Sequence, residues 1–206
     1  MLFVHLMISV SIRFSAVFGV VSLLSLVALG QVRAGSSPQT GAHGPSQAAA
    51  DAVRDAAATD AAFLPARSVG GTLDQANLAS LLQFPTDDIV VVKLTGKAVR
   101  AALERSVSLY PQENSSFLQL SGMVVEFSQA GAPESRILNV TVNGAQLDEN
   151  RAYTIAMPGS LGRGGSGYFK IWDKSKIERT VPGVTLESVL KGRRYVSSSP
   201  RWVARP

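Results

Sequence analysis

The sequence predicts an α+β fold, in which helices come first, β-strands follow and one helix closes the domain. The first half carries helical patterns around a single strand-like run, and the second half changes to short runs with a strand period. Helices followed by strands favour an α+β domain over a regular alternating parallel sheet. The chain has 206 residues, of which 46% are hydrophobic, so it is long enough for one domain with its own core.

Three helices and one strand are predicted in the first half. The alanine-rich segment 47–59 has high helical propensity. Residues 74–82 place three leucines on one side of a second short helix. Residues 89–94 form an apolar and β-branched run, which is typical of a strand buried on both faces. Thr95 is a good N-cap for the third helix, whose apolar stripe we expect to face inward.

The second half predicts strands and a closing helix. The β-strands are expected at 123–127, 137–142 and 153–157. Asn143-Gly144 is a strong turn signal after the second of them. Residues 185–192 predict an amphipathic helix that ends at Gly192.

Residues 1–34 predict a signal peptide. Arg13 supplies the positive charge, an apolar run follows it, and Val32-Arg33-Ala34 has the small-x-small pattern that signal peptidase accepts. We therefore expect cleavage after Ala34 and export to the periplasm or the extracellular space. A membrane span needs about 20 apolar residues, so an uncleaved anchor is the alternative, and the protein contacts a membrane only in that case.

The rest of the chain is predicted to divide into a flexible linker, residues 35–46, and a folded domain, residues 47–206. The linker is rich in Gly, Ser, Pro, Gln and Thr, which bury little apolar surface. Without the leader, 18 basic residues remain against 15 acidic ones, a net charge of +3. Nucleic-acid binding needs a clustered basic face, so we expect no nucleic-acid partner.

A series of short motifs occurs in a fixed order along the domain. They are Phe84-Pro85, Ile89–Leu94, Thr95-Gly96-Lys97, Phe117-Leu118-Gln119-Leu120-Ser121-Gly122, Val140-Thr141-Val142-Asn143-Gly144, Tyr153-Thr154-Ile155 and Gly164-Gly165-Ser166-Gly167-Tyr168. In this order they resemble the C-terminal domain of the 5'-nucleotidase and UDP-sugar hydrolase family. The resemblance implies a single mixed α/β domain that grips the nucleoside, while a separate metal-bearing domain performs the hydrolysis.

The residue types of the predicted domain exclude several catalytic sites. The chain has no Cys, and its two His residues, His5 and His43, both precede residue 47. Without His, the domain cannot assemble the two-metal site of Asp, His and Asn that the family uses, nor a Ser-His-Asp triad. Ser188 and Lys191 match a Ser-x-x-Lys motif, but the other motifs of that system are missing. We therefore expect no catalytic residue, metal or cofactor in this chain and a separate metallophosphatase chain as its partner.

The resemblance points to a nucleobase site. The family holds the base between two aromatic rings, and Phe117 takes the place of the first; the alternative is a phenylalanine packed in the core. The place of the second aromatic ring is Ser160, and the place of an acid that binds ribose hydroxyls is Ser166. The acids Asp87 and Asp88 lie at a turn before a strand, where solvated or capping carboxylates are expected.

Two arginines and a glycine-rich loop complete the predicted substrate site. Arg67 takes the place of the arginine in the family's Asn-Gly-Gly-Gly-Ile-Arg segment. Arg163 is an addition that can bind a phosphate or carboxylate through two hydrogen bonds; the alternative is a solvated arginine. Gly164 and Gly165, with neighbouring glycines, are predicted to shape the loop, because positive φ angles are favourable only for glycine.

Two hypotheses for the function follow. The first is an exported accessory module that binds a nucleotide or nucleoside and acts with a separate metallophosphatase chain in nucleotide hydrolysis and catabolism. The second is a structural or protein-interaction domain that keeps the fold but has lost nucleotide binding. Three departures from the family motivate the second hypothesis: Ser160 in place of the second aromatic ring, Ser166 in place of the acid, and the loss of the glycines from the segment before Arg67.

Overall fold

A computed structural model of the protein describes residues 37–206. The predicted signal peptide, residues 1–34, and the first two positions of the predicted linker lie outside the described residues. Within residues 37–206, none of the helices combines the length and the apolar character that a membrane span requires.

The helices and strands of residues 37–206 alternate irregularly along the chain. The helices are α1 (Gly44–Ala57), α2 (Gly96–Val107), α3 (Gly159–Gly162) and α4 (Leu186–Leu190). The strands are β1 (Ala61–Pro65), β2 (Asp88–Thr95), β3 (Leu118–Ser121), β4 (Met123–Ser128), β5 (Ile137–Val142), β6 (Ala145–Gln146), β7 (Ala152–Pro158), β8 (Ile177–Thr185) and β9 (Trp202–Arg205). Residue patterns predicted β2, β4, β5 and β7 but not β1, β3, β6, β8 or β9.

The strands form two mixed sheets. One sheet has five strands in the order β3-β1-β7-β2-β8, and the other has four in the order β6-β5-β4-β9. The pairs β1–β7 and β4–β9 are parallel, and the other pairs are antiparallel. Mixed sheets combined with helices confirm the predicted fold class, a single mixed α/β domain of the α+β type.

Strand β2 lies inside the domain, between two apolar clusters. Ile89 and Val91 pack in one cluster with residues of α1 and α4. Val90 and Val92 pack in the other, with residues of α2 and of the four-stranded sheet. Because side chains alternate across a strand, burial on both sides requires a continuous apolar run. The prediction of a strand buried on both faces is confirmed.

The N-caps of α2 and α4 agree with the sequence. The hydroxyl of Thr95 accepts a hydrogen bond from the backbone N–H of Ala98 at 3.3 Å. Thr185 and Ser188 form a reciprocal capping box at the start of α4. Gly192, with a φ of 70°, follows the end of α4, so this helix is confirmed but is shorter than residues 185–192.

The segment predicted as a flexible linker is packed against the domain in its described part, residues 37–46. The amide of Gln119 donates hydrogen bonds of 2.8 Å to the carbonyls of Pro38 and Gly41. Ala42 and Ser46 are buried, and α1 already begins at Gly44. The prediction was wrong here because composition indicates only how much apolar surface a segment can bury, whereas this segment is held by hydrogen bonds between its backbone and a buried polar side chain.

The predicted second helix, residues 74–82, is also corrected. Asp74 accepts a hydrogen bond from the backbone N–H of Ala76 at 2.8 Å, and this Asx-type bond competes with helical bonding. A short 3₁₀ helix, Leu78–Leu81, follows it. Leu78 and Leu81 are buried, because residues three apart lie on one side of a 3₁₀ helix. The leucine spacing therefore identified the buried side but not the type of helix.

Candidate functional site

The candidate site is a cavity at one edge of the five-stranded sheet. Strands β1 and β7 are parallel and end there at Pro65 and Pro158, whereas the antiparallel β2 begins there at Asp88. The connections that leave or enter these strands therefore meet at one place. They surround a cavity of about 520 Å³, which has these lining residues: Arg67, Ser68, Phe84, Thr86, Asp87, Asp88, Ser160, Arg163, Gly165 and Ser166.

An aromatic ring and an arginine lie at the cavity without being buried. Phe84 is 43% exposed, and the guanidinium carbon of Arg67 lies 5.8 Å from the centre of its ring. The backbone N–H of Arg67 donates to the carbonyl of Ser115 at 2.9 Å, which fixes the position of the short 3₁₀ turn after β1. A planar cation over an aromatic face is a favourable pair, and both groups are open to a ligand.

A serine and a carboxylate link the loop after β7 to the segment before β2. The hydroxyl of Ser160 donates to Asp87 at 2.5 Å, and its backbone N–H donates to the same carboxylate at 3.2 Å. Ser160, the predicted place of the second aromatic ring, therefore makes a polar contact instead. Of the two alternatives that its turn position predicts, a solvated or a capping carboxylate, Asp87 fits the second, since its side chain is only 11% exposed and accepts a backbone N–H at the start of α3.

Arg163 forms a two-pronged ion pair with Asp88 on one side of the cavity. Its terminal nitrogens lie 3.0 and 3.3 Å from the two carboxylate oxygens. This hydrogen bonding lowers the pKa of the Asp88 carboxyl below its ordinary value and raises the pKa of the Arg163 guanidinium. Arg163 thus binds a carboxylate of its own chain, whereas the sequence predicted either a ligand phosphate or carboxylate or a solvated arginine.

Glycines shape the loop that closes one side of the cavity. Gly164 and Gly167 have φ angles of 89° and 75°, which side-chain-bearing residues rarely adopt. A Cβ on Gly165 would lie 2.4 Å from the carbonyl oxygen of Ser160, so the backbone approach there requires a glycine. Gly165 and Ser166 line the cavity, whereas Gly164 is buried behind it.

Phe117 lies in the core and not in the cavity. It is 1% exposed, and its ring packs 4.9 Å from the ring of Trp202. A ring buried in this way has no open face on which a nucleobase can stack. Its assignment to the binding site is therefore corrected, and the alternative of a core phenylalanine describes it.

The other predicted site residues are brought together, with additions that the sequence analysis missed. Arg67, Ser160, Arg163, Gly165 and Ser166 line one cavity. The missed residues that share this cavity are Ser68, Phe84, Thr86, Asp87 and Asp88. The Phe84-Pro85 motif was a usable signal, because a phenylalanine beside a proline and ahead of a buried strand lies in a turn at the sheet edge. Within residues 37–206, no group of three or more His, Cys, Asp or Glu side chains is arranged to hold a metal ion.

Comparison with known proteins identifies the family. The model of the 5'-nucleotidase C-terminal domain matches residues 25–173. The chain belongs to the 5'-nucleotidase C-terminal domain family. This membership confirms the resemblance predicted from the motifs.

The relatives of this 5'-nucleotidase C-terminal domain are longer proteins. It is 31% identical over 106 residues to the 5'-nucleotidase of Diplobatis ommata, a match that covers 48% of this chain and 18% of the relative. It is also 31% identical over 113 residues to the 5'-nucleotidase of Mus musculus, which covers 50% of this chain and 19% of the relative. The match thus spans about a fifth of the length of these relatives.

Solved structures share the fold. The 5'-nucleotidase precursor of Thermus thermophilus superposes with a TM-score of 0.67 at 22% identity, covering 81% of this chain and 36% of that one. The NAD nucleotidase of Haemophilus influenzae superposes with a TM-score of 0.61 at 17% identity, covering 84% and 37%. At this level of identity, the likeness establishes the fold alone.

Proposed function

We propose that this chain is an exported nucleotide- or nucleoside-binding module that acts in nucleotide hydrolysis with a separate metallophosphatase chain. The observation that carries the proposal is the pair of Phe84 and Arg67 at an open cavity of about 520 Å³. An aromatic face suits a nucleobase and a guanidinium suits a phosphate. The cavity combines these two groups at the edge of a sheet.

The remaining cavity residues suit the sugar of such a ligand. Ser166 stands where the family has an acid, but Asp87 and Asp88 bring carboxylates to the same cavity from the start of β2. A carboxylate oxygen that already accepts one hydrogen bond has a second lone pair, so it can also accept from a ribose hydroxyl. We therefore propose that Asp87 or Asp88 replaces the family acid in space, although neither replaces it in the sequence.

Family membership supports the link to nucleotide hydrolysis. The relatives with which the chain shares about half of its length are 5'-nucleotidases by name, and a structural neighbour is an NAD nucleotidase. The predicted domain has no His after His43, so a metal-dependent hydrolytic step requires residues from elsewhere. We propose that a partner chain supplies them and that the predicted leader exports this chain to meet it.

One observation favours the second hypothesis, a domain that has lost its ligand. Arg163 is paired with Asp88, and Ser160 is bonded to Asp87, so the polar groups on this side of the cavity are bonded to one another. In this alternative the network stabilises the fold, and the cavity has no ligand. The two hypotheses differ in whether the cavity binds a nucleotide.

Calorimetric titration of the purified chain with AMP, adenosine and UDP-glucose tests the proposal. We expect Phe84→Ala to weaken both AMP and adenosine by about tenfold or more, because one stacked face is worth about 1–3 kcal/mol. Arg67→Met should weaken AMP but not adenosine, because only AMP carries a phosphate. Phe169→Ala is the matched control, since Phe169 is 64% exposed and does not line the cavity.

Two outcomes would count against the proposal. Absence of heat with all three ligands at millimolar concentration would favour the domain without a ligand. Equal effects of Phe84→Ala and Phe169→Ala would show that binding occurs elsewhere. We also expect the isolated chain to release no phosphate from AMP with Mn²⁺ or Mg²⁺, and measurable release would contradict the proposed division between two chains.

A further inference from the structure

The loop 163–167 is a thin wall between two cavities. Gly165 and Ser166 line the candidate site on one side. Gly167 lines a second cavity of about 490 Å³ on the other side, together with Arg105 of helix α2. Whatever holds this wall in place also determines the shape of the candidate site.

Arg105 contacts this wall directly. Its Nη2 donates a hydrogen bond of 3.0 Å to the carbonyl oxygen of Ser166. Its guanidinium carbon lies 5.2 Å from the ring centre of Tyr168, which follows the wall in sequence. A Cβ on Gly167 would lie 2.0 Å from Nη2, so the guanidinium and the backbone fit together only because this residue is glycine.

Ser166 needs such a support. Its φ angle is 55°, in the left-handed region that residues with a side chain rarely adopt. An unfavourable backbone angle persists only when the surroundings hold it there. A hydrogen bond from a charged donor to the Ser166 carbonyl is strong and directional, and it favours this conformation.

Tyr168, the residue that follows the wall, is held in place by contacts in the core. Tyr168 is buried, its hydroxyl donates to the carbonyl of Ser116 at 2.8 Å, and its ring stacks on Trp172 at 4.8 Å. The indole N–H of Trp172 donates to the carbonyl of Leu161 at 2.9 Å. Both flanks of the wall are therefore held by the core. Among the contacts of the wall, the hydrogen bond from Arg105 acts on the strained residue itself.

One nitrogen of Arg105 is buried at a cost in stability. Its Nε is buried and has no hydrogen-bond partner within the part of the chain that the structure describes. A buried donor without a partner destabilises the fold. A lysine would avoid this cost, but an ammonium group cannot both stack on Tyr168 and reach Ser166 as a planar fork does.

We infer that Arg105 is a positioning residue that holds the wall 163–167 in the conformation that the candidate site requires. Helix α2 carries Arg105 and is fixed by its Thr95 cap and its buried stripe, so it provides a rigid base. The inference rests on the proposed function insofar as the site binds a nucleotide. The apparent affinity falls in proportion to the fraction of molecules in which the wall is in place.

The test compares Arg105→Met with Arg100→Met in the purified chain. Arg100 lies on the same helix and lines the same second cavity, but its Nε pairs with Glu149 at 2.7 Å. Trypsin cleavage after Arg163 under native conditions reports on the wall without any ligand. We expect cleavage about tenfold faster and AMP binding about tenfold weaker for Arg105→Met, and no change in either for Arg100→Met.

Each outcome decides the inference. Wild-type cleavage after Arg163 in folded Arg105→Met would overturn it. If Arg105→Met does not fold, Arg105→Lys replaces it; faster cleavage at an unchanged melting temperature supports the inference, and wild-type cleavage overturns it. If the wild-type chain binds no AMP but the cleavage difference is found, the proposed function fails and the role of Arg105 in holding the wall stands.

Discussion

Truncation of Phe117 should destabilise the fold far more than truncation of Phe84. Phe117 is 1% exposed and packs against Trp202, whose indole N–H donates to the carbonyl of Leu118 at 2.7 Å. Phe117→Ala removes a complete aromatic side chain from the core, which costs about 3–5 kcal/mol in free energy of unfolding. Domains are stable by about 5–15 kcal/mol, so this single change removes a large part of the total.

Phe84→Ala is the control for this prediction. Phe84 is 43% exposed, so its truncation should cost about 1 kcal/mol or less. Urea unfolding followed by far-UV circular dichroism measures both variants against the wild type. A loss below about 1 kcal/mol for Phe117→Ala, or a loss for Phe84→Ala that exceeds that for Phe117→Ala, would refute the assignment of Phe117 to the core and of Phe84 to the cavity.

Three further predictions concern stability. The pKa of Asp88 is lowered in the fold, so its pairing with Arg163 stabilises the fold above about pH 4, and this stabilisation is lost as the pH falls through the folded pKa. Asp88→Asn should therefore reduce the loss of stability at acid pH in urea titrations, and an unchanged loss would contradict the pairing. Ala58 follows α1 at a φ of 50°, so Ala58→Gly should raise the free energy of unfolding by about 1 kcal/mol, and a decrease would show that the angle is not strained. Arg201 donates to the Leu120 carbonyl at 2.6 Å and pairs with Asp51 at 2.7 Å. Arg201→Met should therefore lower the free energy of unfolding by about 2–3 kcal/mol and lower the melting temperature, and an unchanged melting temperature would contradict this.

The parts of the fold that the sequence predicted are those with a local pattern. Helix α2 and strand β2 have their caps, stripes and apolar runs within a few residues. Strand β8 lacks such a pattern, because it lies at the edge of its sheet and contains Pro182 and Gly183, with Val181 as its buried residue. Strand β9 pairs with β4, 77 residues earlier in the chain, and no local rule predicts so distant a partner.

The candidate site follows the same division. The loop 163–167 was predicted because its three glycines lie within four positions and each is required by the local backbone. The role of Asp87 and Asp88 was missed because their partners, Ser160 and Arg163, lie 73 and 75 residues away. The burial of Phe117 likewise depends on Trp202, which reaches Phe117 only through the pairing of β9. Burial of an aromatic ring is a property of the assembled sheets.

The ion pair between Arg163 and Asp88 is compatible with ligand binding at the cavity. Arg163 and Asp88 are 50% and 37% exposed, and pairs with this exposure contribute about 0–1 kcal/mol to stability. A ligand phosphate offers Arg163 the same two-pronged geometry, so exchanging one partner for the other costs little. The pair therefore keeps the arginine in place in the free protein without closing the cavity. The binding hypothesis depends mainly on Phe84 and Arg67, because both side chains are accessible to a ligand in the free protein.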